Sequence, residues 1–246
     1  MRYLFPIVIA CVPTLPALAQ DAMQQAQHEL HATHGERLNY LLLGERFEYA
    51  RDAGRDSYQW EAQAWLGYDR DKLWLKTEGH YDADANSTER MEWQALYSRA
   101  IAPFWDVQLG LRHDSGAYAT RNYAVVGLQG LAPYWFELDM AVFLSERGDF
   151  SARAEAEYEL RFSQRLLLQP RVEVNLQGSD DPEAGVGQGL SEASIGLRLR
   201  YEWRREFAPY LGLEWVRAFG DTADLLQRDG LAREESRVVA GLRFWY

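Results

Sequence analysis

Three histidines recur at even spacing early in the chain, at His28, His31 and His34, with Met23 shortly upstream. A helical conformation would set the three imidazoles along one side, drifting by some tens of degrees at each step. Neutral imidazole is a ligand for Cu(II) and Zn, and a thioether is a soft ligand for Cu(I). The surrounding stretch, residues 20–37, has few large apolar side chains and cannot bury a core of its own. Two readings stand on these residues alone. One is a metal-ligand set; the other is a solvated polar linker.

Elsewhere the chemistry is sparse. The two remaining histidines, His80 and His113, fall near the ends of predicted strands on one rim. A serine hydrolase would need a serine, a histidine and an orienting polar group to converge, and nothing in the spacing suggests that. Neither a Gly-rich phosphate loop nor a His-Glu-x-x-His run is present. The chain is therefore not expected to be an enzyme. The single cysteine, Cys11, sits in a leader-like segment, so thiolate sites and disulfides are not expected in the mature chain. A net charge of −11 argues against nucleic acid as a partner and in favour of cations.

The rest of the chain must position whatever chemistry there is, and it does so with strands. Residues 1–19 read as a secretory signal: Arg2 is a short basic start, an apolar run follows, and Ala17-Leu18-Ala19 is a small-x-small cleavage site. From Leu38 onward apolar residues recur every second position. Tyr58, Trp60, Ala62, Ala64, Leu66 and Tyr68 alternate with Gln59, Glu61, Gln63, Trp65 and Gly67. Ala193, Ile195, Leu197, Leu199 and Tyr201 alternate with Glu192, Ser194, Gly196, Arg198 and Arg200. A strand sends alternate side chains to opposite faces, so each has one apolar face and one polar face. The period is poor only around Leu41-Leu42-Leu43.

No run of apolar residues is long enough for a transmembrane helix. About 12 strands of roughly ten residues are predicted, an even number as single-chain bacterial barrels use. The aromatic content, 9 Trp and 14 Tyr, suits the girdles of such a barrel. Connections are predicted short near 69–72, 100–103, 131–134, 162–164 and 203–206. Long ones are predicted at 50–57, 82–88, 113–122, 145–149, 177–189 and 218–235. The final stretch, Arg237 to Tyr246, puts Val238, Ala240, Leu242 and Phe244 on one face and ends on aromatic rings, as a barrel's closing strand does. Pro170 and Pro209 lie inside strands and predict bulges or weak pairing. The expectation is all-β: a transmembrane antiparallel β-barrel over residues 38–246, in outer-membrane lipid, with a short N-terminal periplasmic segment. Its inner face would carry Glu61, Glu78, Glu92, Asp106, Glu137, Asp139, Glu155, Glu157, Glu173, Glu192 and Glu214 against Lys76, Arg112, Arg153, Arg171, Arg198, Arg200, Arg237 and Arg243. Those charges either stiffen the wall by pairing or line a path for cations.

Several ordered segments carry a resemblance. They include Leu73-Trp-Leu-Lys-Thr-Glu78, Ala102-Pro-Phe-Trp-Asp106, Gly127-Leu-Gln-Gly-Leu-Ala-Pro-Tyr-Trp-Phe-Glu137, Leu168-Gln-Pro-Arg-Val-Glu173 and Arg205-Glu-Phe-Ala-Pro-Tyr210. Together they resemble the copper resistance protein B family of outer-membrane proteins, over essentially the whole barrel. The resemblance implies an outer-membrane barrel acting in copper tolerance, by export or sequestration. It implies copper as the ion handled and periplasmic copper-handling proteins as partners. It also tips His28, His31 and His34, with Met23, toward a ligand set. The chain departs from the family in one respect. The Met- and His-rich segment that often precedes the barrel is cut to one Met and three His.

Overall fold

The computed structural model describes residues 37–52, 55–117, 120–228 and 230–246. Twelve antiparallel strands close into one barrel. In chain order they are β1 (Asn39–Asp52), β2 (Arg55–Gly67), β3 (Asp71–Asp82), β4 (Ser87–Ala102), β5 (Trp105–Gly116), β6 (Arg121–Ala132) and β7 (Phe136–Ser145). Then come β8 (Phe150–Glu157, resuming at Leu160–Arg161), β9 (Leu166–Gln177), β10 (Gly189–Tyr201), β11 (Phe207–Ala218) and β12 (Glu234–Trp245). Each strand pairs with its neighbours in sequence, and β12 returns to pair with β1. No edge is left open, as hydrocarbon requires of a spanning sheet.

The burial pattern is inverted relative to a water-soluble protein. Leu73, Leu111 and Leu211 are 64%, 68% and 64% exposed, whereas Glu92 and Arg200 are each 1% exposed. Apolar side chains of this size are stable on the outside only where lipid covers them. The alternation predicted for these strands holds: Leu109, Val142, Val172, Ile195, Leu197 and Val238 all face outward. Exposed Phe104, Tyr134, Trp135, Phe162, Trp203 and Tyr246 cluster around the short-turn end, where an interfacial belt belongs. A second ring of aromatics, Tyr49, Tyr58 and Tyr81, lies toward the other end, with centroids 5.7 and 6.4 Å apart.

Local irregularities have identifiable causes. Pairing of β1 shifts register between Gly44 and Arg46, a β-bulge that places an extra residue on this strand. Leu42 and Phe47 both face out, so the parity switches between them. That switch is why the period around Leu41–Leu43 looks poor. Pro170 meets the other prediction: it pairs in register with Leu197 of β10, but on its other side β8 breaks between Glu157 and Leu160. Proline has no N–H to give to that side of the ladder. Pro209 similarly lies one residue beyond the last pair between β10 and β11, Arg200 with Tyr210.

Two of the predicted long loops, 50–57 and 113–122, are mostly strand, and a third, 82–88, is strand at both ends. β1 and β2 extend to Asp52 and from Arg55, β3 and β4 to Asp82 and from Ser87, and β5 to Gly116. Polar cross-strand contacts carry these ladders beyond the apolar belt, among them Tyr49 to Asp56 at 2.7 Å and Arg55 to Glu235 at 2.9 Å. Long connections remain at 178–188 and 219–233. The second contains a helix, α1 (Gly220–Arg228), that the strand pattern did not predict.

These two connections meet over the mouth. The Gly187 amide donates to Thr222 Oγ1 of α1 at 2.9 Å. Arg121, the first residue of β6, holds the 178–188 loop through Asp181 (3.0 Å) and Glu183 (2.8 Å), and Arg147 reaches Glu183 at 2.7 Å. Burial alone would raise the Asp181 carboxyl. The hydrogen bonds from Arg121 and the Ala184 amide, with the charges of Arg121 and Arg147, override it and hold it below the ordinary carboxylate range. Glu183 is lowered by its hydrogen bonds to Arg121 and Arg147. A depressed carboxylate stabilises the fold above its ordinary value, near about 4, and loses that effect only as pH falls through the lower folded value. The latch should therefore hold through neutral and mildly acidic pH. Arg121→Ala should make the 178–188 loop the first site of limited proteolysis at pH 7, with the strands still protected. An unchanged cleavage pattern would show that the loop is held by something else.

Candidate functional site

The interior of the barrel is where charged side chains converge. Of the acids and bases predicted for the inner face, Glu61, Glu78, Glu92, Glu137, Asp139, Glu155, Glu157, Lys76 and Arg153 line a cavity there, and Arg171, Arg198 and Glu214 are buried in ion pairs. The alternation puts them there: with one face in lipid, the other has no place but the lumen. Sequence reasoning missed Glu45, Arg46 and Glu48, because the β1 bulge turns both Glu45 and Arg46 inward. The adjacent charged pair at the point where alternation failed was the available signal.

The ion pairs run both along the wall and across it. On the wall, Arg46 binds Glu61 at 2.5 Å, Arg112 binds Glu92 at 2.8 Å, and Arg198 binds Glu214 at 3.0 Å. Across the lumen, Arg153 of β8 reaches Glu78 of β3 and Glu92 of β4, both at 2.9 Å. Arg171 of β9 reaches Glu61 of β2 at 2.8 Å and also pairs with Glu155. Lys76 of β3 reaches Asp139 of β7 at 2.6 Å. One side of the interior is filled instead by Trp74, Leu96, Val125 and Phe143, with the Arg112 guanidinium 4.5 Å from the Phe143 ring centroid.

Two cavities lie inside the barrel among the described residues. The one toward the short-turn end is about 270 Å³. Glu45, Glu61, Glu78, Glu92, Glu137, Asp139, Glu155 and Glu157 line it, against only Lys76 and Arg153. Among the described residues, Glu45 and Glu137 have no ion-pair partner; Glu45 accepts a hydrogen bond from Gln63 at 2.8 Å. The other cavity, about 400 Å³, lies under the 178–188 loop and α1 and has a mixed lining. A carboxylate-rich, low-dielectric recess focuses a negative potential and raises the local concentration of cations.

His80 and His113 sit at the long-loop rim, as predicted. His80 Nδ1 lies 2.5 Å from Glu89, and His113 Nδ1 lies 2.7 Å from Asn122. Met23, His28, His31 and His34 lie outside the described residues. Among the described residues, no group of three or more His, Cys, Asp or Glu side chains is arranged to hold a metal ion.

A family model described as copper resistance protein B precursor (CopB) matches residues 38–246. The chain belongs to the copper resistance protein B family. Copper resistance protein B of Escherichia coli is 38% identical over 248 residues, covering 100% of this chain and 83% of that protein. The homolog from Pseudomonas syringae pv. tomato (strain ATCC BAA-871 / DC3000) is 36% identical, covering 93% of this chain and 77% of that one. Among solved structures, the NanC porin aligns with a TM-score of 0.52 at 13% identity, covering 84% of this chain and 99% of its own. The KdgM porin aligns with a TM-score of 0.51 at 11% identity, covering 84% and 98%. At that identity the likeness concerns the fold: an outer-membrane β-barrel. Family and fold together assign this chain a role in copper resistance in the outer membrane.

Proposed function

We propose that the protein binds copper and exports or sequesters it across the outer membrane. Membership of the copper resistance protein B family carries this reading, and the acid-lined cavity supports it. In this reading residues 1–19 are a removed signal peptide and residues 20–37 a short periplasmic segment. The short-turn end and both ends of the barrel chain then face the periplasm, as in other bacterial barrels. Met23, His28, His31 and His34 enter the periplasm just before β1. They would take copper, from solution or from periplasmic copper-handling proteins, and deliver it to the carboxylates of the inner cavity. Copper is cargo here, so weak and exchangeable sites inside the barrel suit the task better than a tight resident one. The residue chemistry fits: imidazole for Cu(II), with the Met23 thioether available to Cu(I).

Replacing His28, His31 and His34 together by alanine should lower copper affinity by about tenfold or more, since changing even the groups that support a metal's ligands costs roughly 10–100-fold. Barrel folding should be unaffected, since the three lie outside residues 38–246. Binding to the parent should weaken as pH falls through about 6.5, because only neutral imidazole is a ligand. Calorimetric titration with Cu(II), and with Cu(I) under reducing conditions, measures both. Equal affinity in parent and triple variant would turn attention to the carboxylates of the lumen. Absence of copper binding by either would favour the other reading, a porin-like barrel with no metal role.

A further inference from the structure

We propose that the lumen is shut at mid-height by the cross-lumen ion pairs of Arg153 and Arg171, and that these two side chains determine both conductance and ion preference. The proposal concerns the state of the pore whatever its cargo, so it stands apart from copper binding.

A twelve-stranded barrel is wide enough to conduct if its interior is left unfilled. Here the two cavities are separate, and Arg153, Glu78 and Phe143 line both, which places them in the partition. Arg153 spans from β8 to the facing strands β3 and β4, and Arg171 spans from β9 to β2. Their side chains are only 13% and 5% exposed, so little water reaches the bar they form. A hydrated ion cannot pass without parting charge-assisted hydrogen bonds of 2.8–2.9 Å. The Arg153 guanidinium also puts fixed positive charge between the two cavities, opposing the cation attraction of the acid-lined one, and Arg171 adds a second positive charge beside it through its bonds to Glu61 and Glu155.

The network allows the bar to be removed without dismantling the wall. Glu92 keeps Arg112 at 2.8 Å and Arg90 at 3.0 Å, and Glu61 keeps Arg46 at 2.5 Å. Glu78, Glu155 and Glu157 would each lose a partner and Glu173 two, but Glu157 and Glu173 keep hydrogen bonds from Gln169 and Asn175, and all four would face the water that enters the widened lumen. The barrel should therefore survive substitution of both arginines by methionine, which keeps much of the stem volume and removes the charge.

The experiment is planar-bilayer recording in KCl of the full chain and of Arg153→Met/Arg171→Met, each checked for a β-rich circular dichroism spectrum and a heat-modifiable band. The parent should show low conductance. The double variant should conduct severalfold more and prefer K⁺ over Cl⁻, since the carboxylate surplus is then unopposed. A parent that conducts as well as the double variant would overturn the proposal, as would a folded double variant that stays closed. If the double variant does not fold, Arg153→Met and Arg171→Met are recorded singly. A severalfold rise in either supports the bar; folded single variants that both match the parent overturn it.

Discussion

A chain ending at Arg243 should fail to accumulate as folded barrel in the outer membrane. Phe244, Trp245 and Tyr246 close the seam between the last strand and the first. Phe244 pairs with Gly44 of β1 on one side and Phe207 of β11 on the other, and Trp245 pairs with Leu43. The Tyr246 amide donates to Leu42 O at 2.8 Å, and the Leu42 amide returns the bond to Tyr246 O at 2.9 Å. The rings add anchors. Phe244 stacks on Phe47 at 5.3 Å, Tyr246 lies 6.3 Å from Tyr40, and Trp245 Nε1 donates to Arg205 O at 2.8 Å. Losing the three residues exposes unpaired β1 backbone at the membrane, where each unsatisfied group costs several kcal/mol. Heat-modifiable mobility of the protein in outer-membrane fractions reads the outcome. Parental levels of folded barrel from the shortened chain would show that the seam does not need these residues.

The second large effect is expected on the lipid face. Ala156 lies on β8 between Leu138 and Val172, and Leu197 lies on β10 between Pro170 and Leu213. Leu197 is 43% exposed, with apolar neighbours on both sides. An arginine at either position must hold a guanidinium in hydrocarbon, at a cost of roughly 2–4 kcal/mol near the bilayer midplane. Ala156→Arg and Leu197→Arg should each lower the urea midpoint of the barrel refolded into lipid vesicles. Leu197→Val should leave it nearly unchanged. Parental midpoints for both arginine variants would mean that these faces do not meet lipid.

Most of the barrel was legible from period-2 patterning, because lipid imposes one demand on every strand: alternate residues must be apolar. Ala193 to Tyr201 is the clearest case. Legibility fails where that demand is relaxed. At Gly44–Arg46 a bulge changes parity, so the inward Glu45 and Arg46 were missed. Beyond the apolar belt water satisfies polar backbone and side chains alike, so strands extending to Asp52 and Asp82 read as loops. The helix Gly220–Arg228 hides inside a connection for the same reason. For the lumen, the sequence shows which face Arg153 occupies but not that it spans to Glu78 and Glu92, since partners across a closed barrel are set by curvature and side-chain reach. The histidine arm is the reverse case: its chemistry is plain in the residue types, and its placement lies outside the described residues.

As a member of the copper resistance protein B family, this barrel should protect cells from copper. Copper content by compartment, with the copper concentration that halts growth, tests this in cells lacking the protein and in the same cells carrying it back. Loss should lower the tolerated concentration and raise periplasmic copper, and the restored parent chain should reverse both. Unchanged tolerance and unchanged periplasmic copper on loss, with folded barrel confirmed in the parent's outer membrane, would contradict the account.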